Sequence, residues 1–481
     1  MSELMGPTTQ SHLGDVAVLG LGRTGEAAAR YLASLVPGRV RSVTLFGGAA
    51  SEEGERTRAL EAEGVRCVLG TEEVSGRYDL VVASPGIPVD SAFFRSAAAC
   101  AAEVVGEPEL AWRESPERWV AITGTNGKTT TTSLATHLLG EAGLPAEAVG
   151  NIGTPPTEAV PARPEGGWFV AELSSFQLAT TRLLHPRVAV LLNVTPDHLE
   201  WHHTMEAYAA AKERAFANLG AGDLAVVSVD DGPCRAVASR CEARGLRVCR
   251  LSVHGEPAGP CAAFLRGGEL VVRLDGVERA LCRAADLRIV GLHNAENALA
   301  ASAVALELGV LAEDVARGLR SFSPIEHRLE PAGTVAGVSY VNDSKATNTD
   351  AVEKALTGFA PGSVVLLLGG HDKMTDLASL AAAVRARCRA AVCYGEAGPR
   401  IAAALEAAGA GEKDAEKDGA PLEVVRAPHL REAFAEAARL ARPGDVVLLS
   451  PACSSFDEFS NMAERGRLFK ALVAELAERG A

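Results

Sequence analysis

A chain of 481 residues, 47% of them hydrophobic, is too long for one core and divides naturally into roughly three domains of about 150 residues each. Its net charge of -14, from 47 Lys and Arg against 61 Asp and Glu, repels polyanions and argues against nucleic acid as a partner. No apolar stretch approaches the roughly 18 residues that cross a bilayer, and the ten cysteines form no C-x-x-C pair, which suits reduced thiols rather than a disulfide framework or a zinc site.

Met1 to Asp15 is polar and lacks the basic flank and apolar run of a secretory signal, so no export and a cytoplasmic location are expected. Beyond it, short Val/Leu/Ile-rich runs alternate with Ala-rich stretches, the pattern of βαβ units. This predicts an α/β fold with a mostly parallel sheet in each domain. The first run, Val16 to Leu19, enters Gly20-Leu21-Gly22-Arg23-Thr24-Gly25 and then an Ala-rich helix. Such a turn suits either a pyrophosphate or tight helix-to-sheet packing. A dehydrogenase reading needs a carboxylate about 20 residues on, and Thr44-Leu45-Phe46-Gly47-Gly48 has none. After a strand at Leu80 to Ala83, Glu107-Pro108-Glu109 interrupts the pattern before a new strand begins, and a first domain boundary is placed near Gly106.

The strand Trp119 to Ile122 leads into Gly124-Thr125-Asn126-Gly127-Lys128-Thr129 and a helical run from Thr130 to Leu139. A loop there aims backbone N–H groups and a helix N-terminus at phosphate oxygens, with Lys128 as a positive charge and Thr129 as a hydroxyl for Mg²⁺. Ile122 stands where the full G-x-x-x-x-G-K-[ST] form has its first glycine. The strands Trp168 to Ala171 and Val188 to Leu192 end in Glu172-Leu173-Ser174-Ser175-Phe176-Gln177 and Asn193-Val194-Thr195-Pro196-Asp197-His198. A carboxylate and an imidazole at strand ends suit Mg²⁺ and phosphate orientation. Taken singly each is more often a helix cap or a satisfied buried group; gathered around one phosphate loop they favour function. Further strands are expected at Leu224 to Val227, Val364 to Leu368 and Val446 to Leu449. A second boundary is placed near Pro324, and the polar stretch Gly409 to Gly419 reads as a solvated surface insertion.

Through Gly124 to Thr129, Glu172 to Gln177, Asn193 to His198, Gly291-Leu292-His293-Asn294-Ala295-Glu296-Asn297 and His327-Arg328, in order along nearly the whole chain, the sequence resembles the Mur ligase family. Within it, Asp343-Ser344-Lys345-Ala346-Thr347-Asn348 looks like the D-glutamate-adding member, and Leu449 to Ser455 and Asn461 to Gly466 agree. The resemblance implies three domains: 1–106 Rossmann-like for a UDP-sugar, 107–324 a central P-loop ATPase type with a mostly parallel sheet, and 325–481 a Rossmann-like amino-acid-binding domain. It implies a monomer that ligates D-glutamate to UDP-N-acetylmuramoyl-L-alanine with ATP as co-substrate and Mg²⁺ as cofactor, through an acyl phosphate, in peptidoglycan precursor synthesis.

Residue by residue, the resemblance implies catalytic roles for Lys128, His198 and Lys212, the last as the family's carbamylated lysine. ATP contacts fall on Gly124, Thr125, Asn126, Gly127, Lys128, Thr129, Thr130, Asn297, Arg328 and Asp343. The metal set is Thr129, Glu172, His198 and Lys212; UDP-sugar contacts are Thr24, Ser84, Asn151 and Gln177; D-glutamate contacts are Lys345, Thr347, Lys373 and Ser455. Without the resemblance, Lys212 reads as an ordinary surface lysine. Three departures stand out: Phe46 replaces an acid expected at the uracil ring, Met462 an aromatic near the amino-acid pocket, and Ser228 an asparagine. The competing readings are a folylpolyglutamate-synthase-like ligase and a non-catalytic nucleotide-sugar sensor. Asp343 to Asn348 disfavours the first, and the intact Lys128, Glu172 and His198 the second.

Overall fold

The computed structural model describes residues 12–289, 291–323, 326–410 and 422–480. Most of the polar segment 1–15, Pro324 and most of the stretch 409–419 lie outside the described residues. The chain divides into two compact units, one holding the residues up to Ala284 together with Glu296–Leu319, the other Ala285–Ala295 and Arg320 onward.

The first unit carries two sheets. Strands β1 (Gly14–Leu19), β2 (Val40–Phe46), β3 (Val65–Val68), β4 (Leu80–Ala83) and β5 (Val104–Gly106) form a parallel sheet in the order β3-β2-β1-β4-β5. Val16, Val18, Leu45 and Val82 are buried, as expected for continuous apolar runs in a sheet covered on both faces. The sheet is Rossmann-like because the chain reverses direction at β1, leaving a crevice beyond its carboxyl end.

The second sheet takes β6 (Trp119–Thr123), β7 (Ala146–Gly150), β8 (Trp168–Glu172), β9 (Val188–Leu191), β10 (Leu224–Ser228), β11 (Arg247–Ser252), β12 (Ala262–Arg266), β13 (Glu269–Leu274) and β14 (Val277–Arg283), in the order β14-β13-β12-β11-β10-β9-β6-β8-β7. It is parallel from β7 to β12, and β12 to β14 form an antiparallel meander. The meander went unread in the sequence although its turns are marked: Gly267-Gly268 and Asp275-Gly276 all adopt positive φ, as tight hairpins require. Central β6 pairs with β8 on one side and β9 on the other, which brings three strand ends together.

The interruption at Glu107-Pro108-Glu109, ahead of the new strand expected and found at β6, is itself helical. The helix Glu107–Glu114 begins there, with Pro108 in its first turn, where the missing N–H does no harm. Its two leading acids are buried acceptors. Glu107 Oε1 takes the Thr157 N–H (2.6 Å) and hydroxyl (2.7 Å), while Glu109 takes the N–H groups of Arg182, Leu183 and Leu184 at 3.0, 2.9 and 3.0 Å.

The second unit holds β15 (Glu330–Val335), β16 (Val338–Asn342), β17 (Val364–Gly369), β18 (Cys388–Tyr394), β19 (Glu423–Arg426) and β20 (Val446–Ala452), in the order β15-β16-β20-β17-β18-β19. Only the β15/β16 pair is antiparallel. Val364 to Leu368 are fully buried between helices on both faces.

Candidate active site

The phosphate loop follows β6 and leads into the helix Lys128–Glu141. Gly124 and Gly127 adopt φ of 152° and 84°, and a Cβ on Gly127 would stand 2.4 Å from Asn297 Oδ1, so only glycine lets the loop pass that side chain. The loop is tied to the end of β9. Asn193 accepts from Asn126 N at 2.8 Å through Oδ1, its Nδ2 donates to Asn126 O at 3.2 Å, and its carbonyl accepts from Thr125 N at 2.9 Å. Thr125 Oγ1 accepts from Thr195 N at 3.0 Å and donates to Thr195 O at 3.1 Å. Ile122, at the position of the missing first glycine, is simply a buried residue of β6. Lys128 Nζ bridges the carbonyls of Gly124 (2.8 Å) and Thr125 (2.7 Å) across the mouth of the loop. Asn297 also accepts from Thr131 Oγ1 at 3.1 Å, which joins it to the phosphate-loop helix.

Glu172 ends β8 and is 2% exposed. Its Oε1 accepts from Asn151 Nδ2 at 2.9 Å, whereas the buried Oε2 has no hydrogen-bond partner. An orphaned buried carboxylate oxygen is unfavourable unless a cation or donor meets it. Lys212, expected at the surface apart from the resemblance, is 1% exposed. Its Nζ donates to the same Gly124 carbonyl at 2.8 Å and lies 4.4 Å from the centre of the Tyr208 ring. Burial, followed by the neighbouring Lys128 charge, pushes its ammonium well below the ordinary lysine range. His198 follows β9 at a φ of 54°, with Asp197 Oδ2 at 3.6 Å. Among the described residues no three His, Cys, Asp or Glu side chains converge into a metal cluster, so the expected set has Glu172 and His198 as its only such members.

The sequence reading missed an aromatic group around these residues. The Phe176 ring lies 4.8 Å from those of His198 and Trp201, and Tyr208 OH contacts Thr125 Oγ1 at 3.1 Å. His202 is buried against Ser175, and burial holds its imidazole neutral by lowering its pKa to about 4. The pair Trp201-His202, three and four residues after His198, and Tyr208 one helical turn before Lys212, were the available signals.

At the first sheet, a Cβ on Gly25 would meet Gly20 O at 1.9 Å, so this glycine serves helix-to-strand packing. A Cβ on Gly22 would meet nothing within 4 Å, and the buried Ser84 Oγ, 3.0 Å from the Cβ sites of Gly20 and Gly25, has no partner. The turn is thus packed at its third glycine and open at its second, with an unused hydroxyl inside it; Thr24 lies in the first turn of the helix Arg23–Ser34. Phe46 is buried edge-on against Tyr78, ring centres 6.0 Å apart, and offers no polar group. Gln177 caps its own helix through Oε1, accepting from Ser174 N at 2.9 Å. Ser228 is buried and donates to Glu296 at 2.8 Å.

In the second unit, Asp343 follows β16. Its Oδ2 accepts from Ser450 Oγ at 2.7 Å and its Oδ1 from Leu329 N at 3.3 Å. Burial raises its pKa to about 7, opposed by the Ser450 hydrogen bond and the Arg328 charge. Lys373 Nζ donates to Thr347 O at 3.1 Å, and His371 N to Ser454 O at 2.9 Å, so the loops after β16, β17 and β20, which carry Lys345, Lys373 and Ser455, share one strand-end rim. Arg465, unassigned from sequence, is fully buried behind that rim. It donates to Ser344 Oγ at 3.0 Å and to the carbonyls of Ser344, Cys453 and Ser454 at 2.9, 3.1 and 3.3 Å. None of these acceptors is a carboxylate. Met462 accepts the Ser344 hydroxyl through its carbonyl at 2.7 Å, so its side chain is not what holds this loop.

A phosphate loop at a sheet switch point, an orphaned carboxylate and a buried lysine beside it define an α/β nucleotide-phosphate-binding protein with group-transfer machinery. Residues 122–305 match the Mur ligase middle domain and 327–453 the Mur ligase, glutamate ligase domain. UDP-N-acetylmuramoylalanine–D-glutamate ligase of Pelotomaculum thermopropionicum is 40% identical over 96% of this chain and 97% of its own length, and the ligase of that name from Koribacter versatilis is 39% identical over 96% and 98%. The chain belongs to the Mur ligase family. Its fold is shared by MurF from Acinetobacter baumannii (TM-score 0.59, 17% identity, 91% of this chain and 90% of that one). It is also shared by the MurF ligase of Thermotoga maritima in complex with ADP (TM-score 0.58, 16% identity, 99% and 98%).

Proposed function

We propose that this chain is the ATP-dependent ligase that joins D-glutamate to UDP-N-acetylmuramoyl-L-alanine in cytoplasmic peptidoglycan precursor synthesis. The observation that carries the reading is identity near 40% over 96% of the chain to relatives named for that ligation. The γ-phosphoryl group of ATP passes to the terminal carboxylate of the UDP-sugar peptide, releasing ADP. The amine of D-glutamate attacks the acyl carbon, loses a proton, and the tetrahedral intermediate collapses to amide and phosphate. A carboxylate is a poor electrophile until one oxygen becomes a phosphate leaving group.

In this reading the loop N–H groups of residues 124–130 and the Lys128 charge hold the transferring phosphate. Asn297, Arg328 and Asp343 hold the rest of the nucleotide. Thr24, Ser84, Asn151 and Gln177 hold the UDP-sugar; the unpartnered Ser84 hydroxyl in the open glycine turn supports this. Lys345, Thr347, Lys373 and Ser455 hold the two carboxylates of D-glutamate. Mg²⁺, when bound, offsets phosphate charge; Thr129, Glu172, His198 and a carbamylated Lys212 would hold it. The orphaned Glu172 Oε2 fits that role, and so does a sparse protein donor set, because Mg²⁺ keeps waters and phosphates in its shell. Burial lowers the affinity of the Lys212 amine for its proton, which favours the neutral form that attacks CO₂ and loses a proton to give a carbamate anion. The division into 1–106, 107–324 and 325–481 draws support from the three sheets, and the cytoplasmic reading from free cysteines throughout the chain and from the lack, among the described residues, of a helix long and apolar enough to cross a membrane. We take the active form to be a monomer.

The test is phosphate release from ATP and Mg²⁺ with UDP-N-acetylmuramoyl-L-alanine, comparing D-glutamate, L-glutamate and other amino acids. Release dependent on D-glutamate is expected; nucleotide binding without turnover, or a preference for a folate acceptor, overturns the reading.

A further inference from the structure

We propose that His202 is a positioning residue of this active site, the wedge that aims His198 and backs the Lys212–Tyr208 pair. The inference rests on the reading of His198 and Lys212 as active-site groups. His198 caps a helix of four residues, Leu199–His202, flanked on both sides by residues in the left-handed region, His198 at a φ of 54° and His203 at 64°. A single turn has no stability of its own, and two bulky residues at positive φ persist only where surrounding packing determines them. Of the four helix side chains, His202 alone is buried, at 6% exposure. The turn is therefore anchored by that imidazole, beside the half-buried Trp201, whose ring packs on Phe176 at 4.8 Å and on His202 at 4.3 Å.

The anchorage reaches each functional loop. His202 Nε2 is hydrogen-bonded to the buried Ser175 Oγ at 2.8 Å, three residues beyond Glu172. Its ring stacks on Phe176 at 5.6 Å and 14°, and Phe176 in turn packs on the His198 ring at 4.8 Å. It also meets the Tyr208 ring at 5.2 Å, and Tyr208 carries Lys212 over its face while its hydroxyl contacts Thr125 of the phosphate loop. His202 N donates to His198 O at 3.1 Å, so displacement of the imidazole is transmitted to the His198 backbone. A residue whose ring touches the turn after β8 and the helix of Lys212, and whose backbone is bonded to His198 beyond β9, sets their mutual spacing.

Supporting groups of this kind change metal affinity or rate by about 10- to 100-fold when removed. The experiment measures kcat, the KM of each substrate, the Mg²⁺ concentration at half-maximal rate and Tm for His202→Ala, His202→Phe, Ser175→Ala and Lys212→Ala. Expected for His202→Ala is a fall in kcat of about tenfold or more and a rise of about tenfold in the Mg²⁺ requirement, with the KM for D-glutamate little changed. His202→Phe, which keeps the stack and loses the Ser175 bond, recovers part of the rate. It then behaves like Ser175→Ala. A rate that falls only in step with Tm, without a change in Mg²⁺ requirement and without recovery in His202→Phe, makes His202 merely structural and overturns the proposal; so does an unchanged His202→Ala. Should His202→Ala fail to fold, Ser175→Ala and His202→Phe decide by the same Mg²⁺ criterion. Full activity of Lys212→Ala overturns the underlying reading by itself, whereas loss there with no effect at His202 overturns only this inference.

Discussion

Lys128 and Lys212 share one acceptor, the Gly124 carbonyl, yet the chemistry asked of them differs. Lys128 bridges two carbonyls of the loop, where its charge faces a transferring phosphate. Lys128→Ala is expected to lower kcat by about two orders of magnitude or more with the fold intact, because it removes charge stabilisation made in the transition state. Steady-state kinetics beside circular dichroism checks this, and near-native turnover in a folded variant removes Lys128 from the chemistry. Lys212, buried and held below the usual ammonium range, has to become an anion to serve a metal. Lys212→Ala should be nearly inactive and partly rescued by a small added carboxylate, and Lys212→Glu should retain more activity than Lys212→Ala. The reverse order argues against a carbamate.

At the level of elements, the helix Glu107–Glu114 is held to the phosphate-loop sheet by carboxylates rather than by apolar contact alone. Glu109 is fully buried and gathers three successive N–H groups, those of Arg182 to Leu184, and Arg113 Nε at 2.9 Å. Removing it strands these donors, each unfavourable by about 1–3 kcal/mol when unsatisfied. Glu109→Ala is therefore expected to destabilise the first unit by at least about 3 kcal/mol, read as a shift of the denaturant midpoint. A change below about 1 kcal/mol means that water replaces the carboxylate. The glycine-rich turn after β1 divides its labour in the same local way, with Gly25 packed against Gly20 and Gly22 left open.

At the scale of the whole molecule, two buried carboxyls among the described residues have pKa values raised into the neutral range, Glu107 and Asp343, each to about 7, chiefly by burial. For such a group the native state binds more protons than the unfolded chain between the ordinary carboxylate range and pH 7. Stability therefore declines as pH rises through that window, and levels off above it. Glu107→Gln keeps an acceptor for Thr157 and cannot ionise. Its Tm relative to the parent chain should rise from pH 5 to pH 8, and melting curves at those two values suffice; a constant difference means that Glu107 does not titrate there.

Much was legible without the fold. Strand runs, the phosphate loop and the ordered motifs are local signals, because a strand followed by a glycine turn and a helix reports itself within about 20 residues. Periodicity placed β6, β8, β9, β17 and β20, and the motif order along the chain pointed to the family. Burial and pairing across long separations were not legible. Apart from the resemblance, Lys212 read as a surface lysine because nothing nearby in sequence shows that Gly124, 88 residues earlier, accepts its amine. Glu107 and Glu109 read as an interruption because their partners lie between Thr157 and Leu184. Arg465 and His202 carried no signal strong enough to mark them, since their significance lies in the acceptors and rings that packing brings to them. Sequence by itself determined which elements form and which loops end them; the tertiary structure alone decided which polar groups leave water, because desolvation depends on neighbours that only the folded chain assembles.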